Sequence, residues 1–278
     1  MKKILVPTDF SKYSEYALQV AAKIAKQLNA EILILHMMGL SPSGLNTNSS
    51  HSATEALFHL KISEKGFKDL LNKEYLKGIK IKEMVQNYTN FNELNNVALE
   101  NNIDLIVMGS HGTSGLVEEV FVGSNTEKVV RTSEVPVLVI KDKITDFKIK
   151  KVVFACDFKS ENTQAYLNAM RFFNLFKADV YLVYINVPHN FNSTNQMETK
   201  VKAFLSKADA GDSKNYDKVI YLNDYTVESG VHNYSKTINA DLIAIPTHGR
   251  KGLSHFFNGS IGEDITNHVK RPVLTFKI

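Results

Sequence analysis

Short apolar runs alternate along the whole chain with longer stretches in which apolar residues recur at helical spacing. Ile4–Val6 reads as a strand. Ser11 then stands where a helix cap belongs, ahead of Tyr13, Ala17, Val20, Ala21, Ile24, Ala25 and Leu28, which fall on one helical face. Ile32–Leu35 is a second strand. The Ser-, Asn- and Gly-rich stretch Gly39–Thr54 predicts a mobile loop, and Leu57 to Leu76 a second helix. Ile79 and Ile81 mark a third strand, Leu94–Leu99 a third helix and Leu105–Met108 a fourth strand. Strands separated by helix-length segments imply right-handed crossovers and a parallel sheet covered on both faces, hence an α/β fold.

The pattern then starts again. Lys3-Ile4-Leu5-Val6-Pro7-Thr8-Asp9-Phe10 matches Lys151-Val152-Val153-Phe154-Ala155-Cys156-Asp157-Phe158. Ala30–His36 matches Ala178–Tyr184, Asp104–Gly112 matches Asp241–Gly249, and Glu134–Ile140 matches Lys270–Phe276. A unit of about 140 residues is far longer than the roughly 20–50 of solenoid repeats, so the chain is a duplicated domain. The expected domains are 1–143 and 148–278, joined through the charged stretch Lys141 to Lys150. Asn186–Asn195 is the polar counterpart of the first loop.

Composition narrows the class. Of 278 residues, 44% are apolar and 22% charged, which suits a globular protein. Residues 1–146 carry 16 Lys+Arg against 17 Asp+Glu (−1), and residues 147–278 carry 17 against 12 (+5). That asymmetry has no dense basic run, so no nucleic-acid partner is expected. No apolar run reaches about 18 residues, and Met1-Lys2-Lys3 leads into too few apolar residues for a signal peptide, so no membrane partner is expected. A single cysteine, Cys156, fits a reducing compartment, and the cytoplasm is the expected location.

Candidate chemistry sits after the strands, because open parallel sheets bind ligands at the carboxyl ends of their strands where the strand order reverses. Pro7-Thr8-Asp9 follows the first strand and Gly109-Ser110-His111-Gly112 the fourth. Gly123-Ser124-Asn125-Thr126 opens a helix running through Val129 and Val130. Glycines admit a close ligand, free N–H groups at a helix start attract phosphate, and Ser124 and Thr126 would add hydroxyl donors. Equally, Asp9 and Asp157 can cap a helix or fix a turn. His111 and His248 have no partner at ligand spacing and read as structural, no metal site is expected, and Cys156 reads as a small buried residue. The run Phe172, Phe173 and Phe176 reads as a helix packed on the sheet.

These residues resemble the universal stress protein family, whose ATP-binding members carry Gly-x2-Gly-x9-Gly-(Ser/Thr) after the fourth strand and an acidic residue after the first. The resemblance covers nearly the whole chain in two copies. It implies two tandem doubly wound domains, each a five-stranded, mainly parallel sheet in the order 3-2-1-4-5 flanked by helices. By similarity, Asp9 and the backbone at Met37 would face adenosine, Met108, Gly109, His111 and Gly112 would flank ribose and phosphate, and Gly123, Ser124, Asn125 and Thr126 would hold the phosphates. In the second copy the matching positions are Asp157, Ile185, Gly249, Gly259 and Ser260. Val137–Ile140 and Val273–Phe276 look like the fifth strands through which members of the family pair, implying an intramolecular pseudo-dimer, with a further homodimer left open.

Neither copy matches the pattern in full. Ten residues, Thr113–Val122, separate Gly112 from Gly123, one more than the pattern; Gly249 to Gly259 keeps the nine-residue gap, but Pro246 replaces the first glycine and Ala155 the first-strand proline. Proline cannot donate an N–H, so the first copy is the expected nucleotide site. The implied function is a stress-response protein holding ATP, with or without Mg²⁺, as a structural or regulatory ligand. A nucleotide-free interaction module and a slow ATP hydrolase are the alternatives. No catalytic residue can be named.

Overall fold

The computed structural model describes residues 1–38, 50–87, 93–110, 124–211, 215–247 and 271–278. The chain divides into two compact units, Met1–Thr145 and Asp146–Ile278.

In the first unit the elements run β1 (Lys3–Thr8), α1 (Lys12–Leu28), β2 (Glu31–Met37), α2 (Ser50–Leu71), β3 (Ile81–Gln86), α3 (Leu94–Glu100), β4 (Leu105–Gly109), α4 (Ser124–Thr132) and β5 (Val137–Ile140). The sheet order is β3-β2-β1-β4-β5, with every pair parallel. Helix α1 starts where its cap stands: the Ser11 side chain accepts from the Ser14 N–H. It ends at Asn29, whose left-handed backbone (φ 52°) returns an N–H to the Ala25 carbonyl. The face carrying Ala17, Val20, Ala21, Ile24 and Ala25 is buried, as the spacing requires.

Two boundaries differ from the expectation. Helix α2 begins at Ser50, so the loop reading fails for residues 50–54; residues 39–49 of that stretch lie outside the described residues. Ala53, Glu55, Ala56 and Leu57 are strong helix formers and override the polar composition around them. At the other end α2 stops at Leu71, and Glu74–Leu76 forms a separate 3-10 turn that buries Leu76. Ile79 donates its N–H back to Leu76, closing that turn, so β3 starts two residues later.

The second unit repeats the plan as β6 (Lys151–Ala155), α5 (Thr163–Asn174), β7 (Asp179–Asn186), α6 (Thr194–Ala208), β8 (Val219–Asn223), α7 (Val227–Thr237), β9 (Leu242–Thr247) and β10 (Val273–Lys277). Its order is β8-β7-β6-β9-β10, again all parallel. Phe172 and Phe173 of α5 pack edge-on against Phe276 of β10, at 6.0 and 5.9 Å. The polar stretch Asn186–Asn195 is more ordered than a loop. Buried Asn186 closes a network at its start: Asn186 donates to Asn223 (3.0 Å) and to the Asn192 carbonyl (3.1 Å), and accepts from the Asn192 N–H (2.9 Å). Ser193 and Gln196 then form a reciprocal capping box that starts α6.

One acidic residue per unit ties the sheet together. Asp104, just before β4, accepts from the N–H groups of Lys2 (2.6 Å) and Lys3 (3.0 Å). Asp241, just before β9, accepts from Lys150 (3.0 Å) and Lys151 (2.9 Å). Replacing either by alanine is expected to remove about 1 kcal/mol from the unit that carries it, read as a lower midpoint in urea unfolding. Among the described residues no helix is long and apolar enough to cross a membrane.

Candidate functional site

Strand β1 lies between β2 and β4, so the chain leaves it to opposite sides and a crevice opens at the carboxyl ends of these strands. Two overlapping side-chain turns shape the exit from β1. The Thr8 hydroxyl accepts the Phe10 N–H (3.1 Å), and the Asp9 carboxylate accepts the Ser11 N–H (3.0 Å). Between them Phe10 takes φ 60°, a left-handed conformation that the two bonds hold in place. Asp9 therefore fixes the turn and starts α1 from a half-buried position. Pro7 is buried within β1 opposite Leu35.

The Phe10 ring packs on His36 at the end of β2, with centroids 4.6 Å apart, and edge-on against Phe67 of α2 at 5.4 Å. Gly66 makes room for it, since a Cβ there would meet the ring at 2.7 Å. His36 donates from Nδ1 to the Thr8 carbonyl (2.8 Å), locking β2 to the end of β1. Met37 follows, half-exposed, and the Met38 N–H still belongs to the sheet through Gln86.

Gly109 ends β4. A Cβ on it would lie 2.7 Å from the carbonyl carbon and oxygen of Tyr13 in α1, so packing alone demands glycine here. Its carbonyl accepts the Thr126 hydroxyl at 2.9 Å. Thr126, 3% exposed, thus spends its side chain on anchoring the first turn of α4 at the crevice rather than on a ligand. Asn125 is exposed beside it, and Met108 is buried one residue inside the strand. Ser124 opens α4, while His111, Gly112 and Gly123 lie outside the described residues.

The second unit copies the turn with different chemistry. Cys156 accepts the Phe158 N–H (3.2 Å), Asp157 accepts the Lys159 N–H (3.1 Å), and Phe158 takes φ 53°. Phe158 stacks on Tyr184 (6.0 Å) and meets Phe204 edge-on (5.4 Å), repeating the Phe10–His36–Phe67 cluster. Here, however, Asp157 also pairs with Lys159 Nζ at 2.9 Å and accepts from the Asn162 side chain. That carboxylate in turn raises the Lys159 pKa. Burial pushes the Cys156 thiol up to about 12, which keeps it protonated at neutral pH and makes it a poor nucleophile.

A cavity of about 170 Å³ lies at the carboxyl ends of β6, β7 and β9, bounded among others by Ile185, Val227, Ile245 and Pro246. Asn162 also faces it. Asn162 is 2% exposed, and its Oδ1 has no hydrogen-bond partner among the described residues. A buried acceptor left unmet costs about 1–3 kcal/mol. Gly249, Gly259 and Ser260, like His248, lie outside the described residues. Among the described residues no three His, Cys, Asp or Glu side chains group as a metal site would require.

Sequence reasoning missed the two aromatic clusters and Asn162. The aligned pairs Phe10/Phe158 and His36/Tyr184 were signals for the first; Phe67 and Phe204 fall outside the repeated blocks. Asn162 stands six residues after Cys156, as Ser14 stands six after Thr8, so the repeat register marks it too.

Two parallel, doubly wound units of one plan, each with the same turn after its central strand, define a duplicated α/β domain with its crevice at the switch point. The universal stress protein family matches residues 1–141 and again 148–277, and the chain belongs to that family. Similar proteins include universal stress protein MJ0577 of Methanocaldococcus jannaschii, 34% identical over an alignment 157 residues long that covers 51% of this chain and 96% of that one. Universal stress protein Slr1230 of Synechocystis is 23% identical over 299 residues, spanning both chains in full. A solved universal stress protein from Archaeoglobus fulgidus shares the fold with a TM-score of 0.68 at 20% identity, over 99% of this chain and 96% of that one.

Proposed function

We propose that the first unit binds ATP as a structural or regulatory ligand in a stress-response role. The observation that carries this reading is the Thr126–Gly109 bond, which holds the first turn of the nine-residue α4 at the crevice beside β1. Unpaired N–H groups at a helix start attract phosphate, and the helix dipole adds to that attraction. Gly112, Gly123, Ser124 and Asn125 would hold the phosphates, while Asp9, Met37, Met108, Gly109 and His111 would border the nucleoside. ATP would supply negative charge to that helix end and span the turn after β1 and the end of β4. Mg²⁺ would enter with the phosphates, not on a protein ligand cluster. In the second unit Asp157 is already satisfied by Lys159 and Asn162, and Pro246 has no N–H to offer, which supports a single site per chain. The test is a mass spectrum of small molecules released on denaturing freshly purified protein. ATP, ADP or AMP near one per chain is expected, and none in repeated preparations, with no calorimetric binding of added ATP, would overturn the reading.

A nucleotide-free module is the second reading, and one observation favours it: Gly109 and Thr126 each have a structural reason for their identity. The same mass spectrum separates the two.

The two units are further proposed to pair through β5 and β10, the terminal strands of their own five-stranded orders, both largely apolar. Lysine at both Val139 and Thr275 is expected to make the halves separable after limited proteolysis near Lys143. Unchanged co-elution of the cleaved halves would count against this pairing.

A further inference from the structure

Strands β3 and β8 stand at matching ends of their units' strand orders, yet their outer edges are built differently. Along a parallel ladder the N–H and C=O of one residue point to the neighbouring strand, and those of the next point away. The Asp224 N–H reaches the Asn186 carbonyl of β7 (3.2 Å), so Leu222 and Ile220 also bond toward β7, and Asn223, Tyr221 and Val219 turn their backbone outward. In the first unit the Ile32 N–H takes the Lys80 carbonyl and the Met38 N–H the Gln86 carbonyl, which turns Ile81, Glu83 and Val85 of β3 outward. Charge guards that edge. Lys82 and Glu83 are exposed, and a second β3 laid antiparallel about the central Glu83 would set this carboxylate against its own copy.

Strand β8, Val-Ile-Tyr-Leu-Asn, carries no charge at all. The Val219 N–H is taken by the Tyr216 carbonyl in the 3-10 turn Tyr216–Lys218. The Val219 C=O, the Tyr221 N–H and C=O and the Asn223 N–H then face outward, and no hydrogen bond among the described residues takes them up. This set complements itself about Tyr221. In an antiparallel pair centred there, Tyr221 exchanges two bonds with the partner's Tyr221, and each Asn223 N–H meets the Val219 C=O of the other chain. Ile220 then faces the partner's Leu222, both partly exposed in the single chain, and Lys218 faces the partner's Asp224. Lys218 is exposed. The Asp224 carboxylate accepts the Tyr225 N–H (2.7 Å) and the Asn233 amide (3.2 Å), with no cation paired to it among the described residues. We propose that the outer edge of β8 docks a second copy of this chain, antiparallel about Tyr221, with Lys218 paired to the partner's Asp224 at both ends of a two-fold interface. The interface is independent of the ATP reading, and β8 lies at the other end of its unit's strand order from β10.

Sedimentation equilibrium of the full chain tests it. A reversible dimer is expected, with a dissociation constant of ~10–100 µM, the weak range of a small interface. Tyr221→Pro removes an outward N–H and leaves the ladder to β7 intact, as proline on an edge strand can, and is expected to keep the chain monomeric. Lys218→Asp sets like charges opposite each other twice and is expected to weaken the dimer about tenfold. Combining it with Asp224→Lys restores opposite charges in the same register and is expected to recover the parent affinity. Should Tyr221→Pro fail to fold, the charge swap carries the test, because Lys218 is exposed. Dimerisation unchanged in Tyr221→Pro or in Lys218→Asp, or no recovery in the double variant, would overturn the proposal. So would a parent chain that stays monomeric throughout, which would leave the edge to an extended segment of another protein.

Discussion

Gly109→Ala is expected to destabilise the first unit by about 3 kcal/mol, whether or not ATP is present. The added Cβ would sit 2.7 Å from the Tyr13 backbone. A backbone neighbour cannot swing aside as a side-chain tip can, so β4 or the start of α1 must shift, and overpacking of this kind costs about 1–3 kcal/mol or more. The shift would also strain the Thr126–Gly109 bond that holds α4. The measurement is chemical unfolding of the variant against the parent chain. Loss of nucleotide in this variant would therefore say little about direct contact. An unfolding midpoint within error of the parent would mean that β4 and α1 are not packed as described.

Gly123→Val is expected to weaken ATP binding at least a hundredfold, while Gly259→Val leaves it within about twofold. The contrast follows from placing the proposed ATP site in the first unit. In the first, Thr126 bonds the Gly109 carbonyl, and under the proposed reading the residue leading into α4 would have to let phosphate approach the N–H groups, an approach that a β-branched side chain would fill. In the second, Pro246 has no N–H to offer and Asp157 is already paired with Lys159 and Asn162. Isothermal titration with ATP and Mg²⁺ reads both variants, with about one site expected per parent chain. Two equal sites, or loss confined to Gly259→Val, would move the site to the second unit. Deleting Val117 restores the nine-residue gap and should leave the affinity of the parent unchanged or improved.

The sheet was legible because a parallel α/β unit writes itself twice in this chain, and because its caps are local. Ser11 announces α1 by a bond to a residue three positions on, and the runs around Leu5, Leu33 and Ile106 are buried on both faces, so they are apolar without interruption. What could not be read depends on partners distant in sequence. Asn186 resembles a loop residue until Asn192 and Asn223 are placed around it. Gly109 resembles a ligand glycine until the Tyr13 backbone is seen against it. Thr126 resembles a phosphate donor until its hydroxyl is found on the Gly109 carbonyl. Hydroxyls, amides and glycines serve packing and binding equally well, and their identity alone does not separate the two uses.

The position of β1 also sets a timetable for synthesis. This strand is made before the others of its sheet, yet it belongs in the middle, between β2 and β4. Its β2 side can be covered as soon as β2 has emerged. Its other side waits for Leu105 and Ile106, and the Asp104 carboxylate that grips Lys2 and Lys3 is made about a hundred residues after them. Until then the nascent unit carries an open edge on a strand with the apolar run Ile4-Leu5-Val6, the kind of surface that pairs with other chains. At roughly 5–20 residues per second that interval lasts several seconds, and the second unit passes through the same exposure at β6 while it waits for β9.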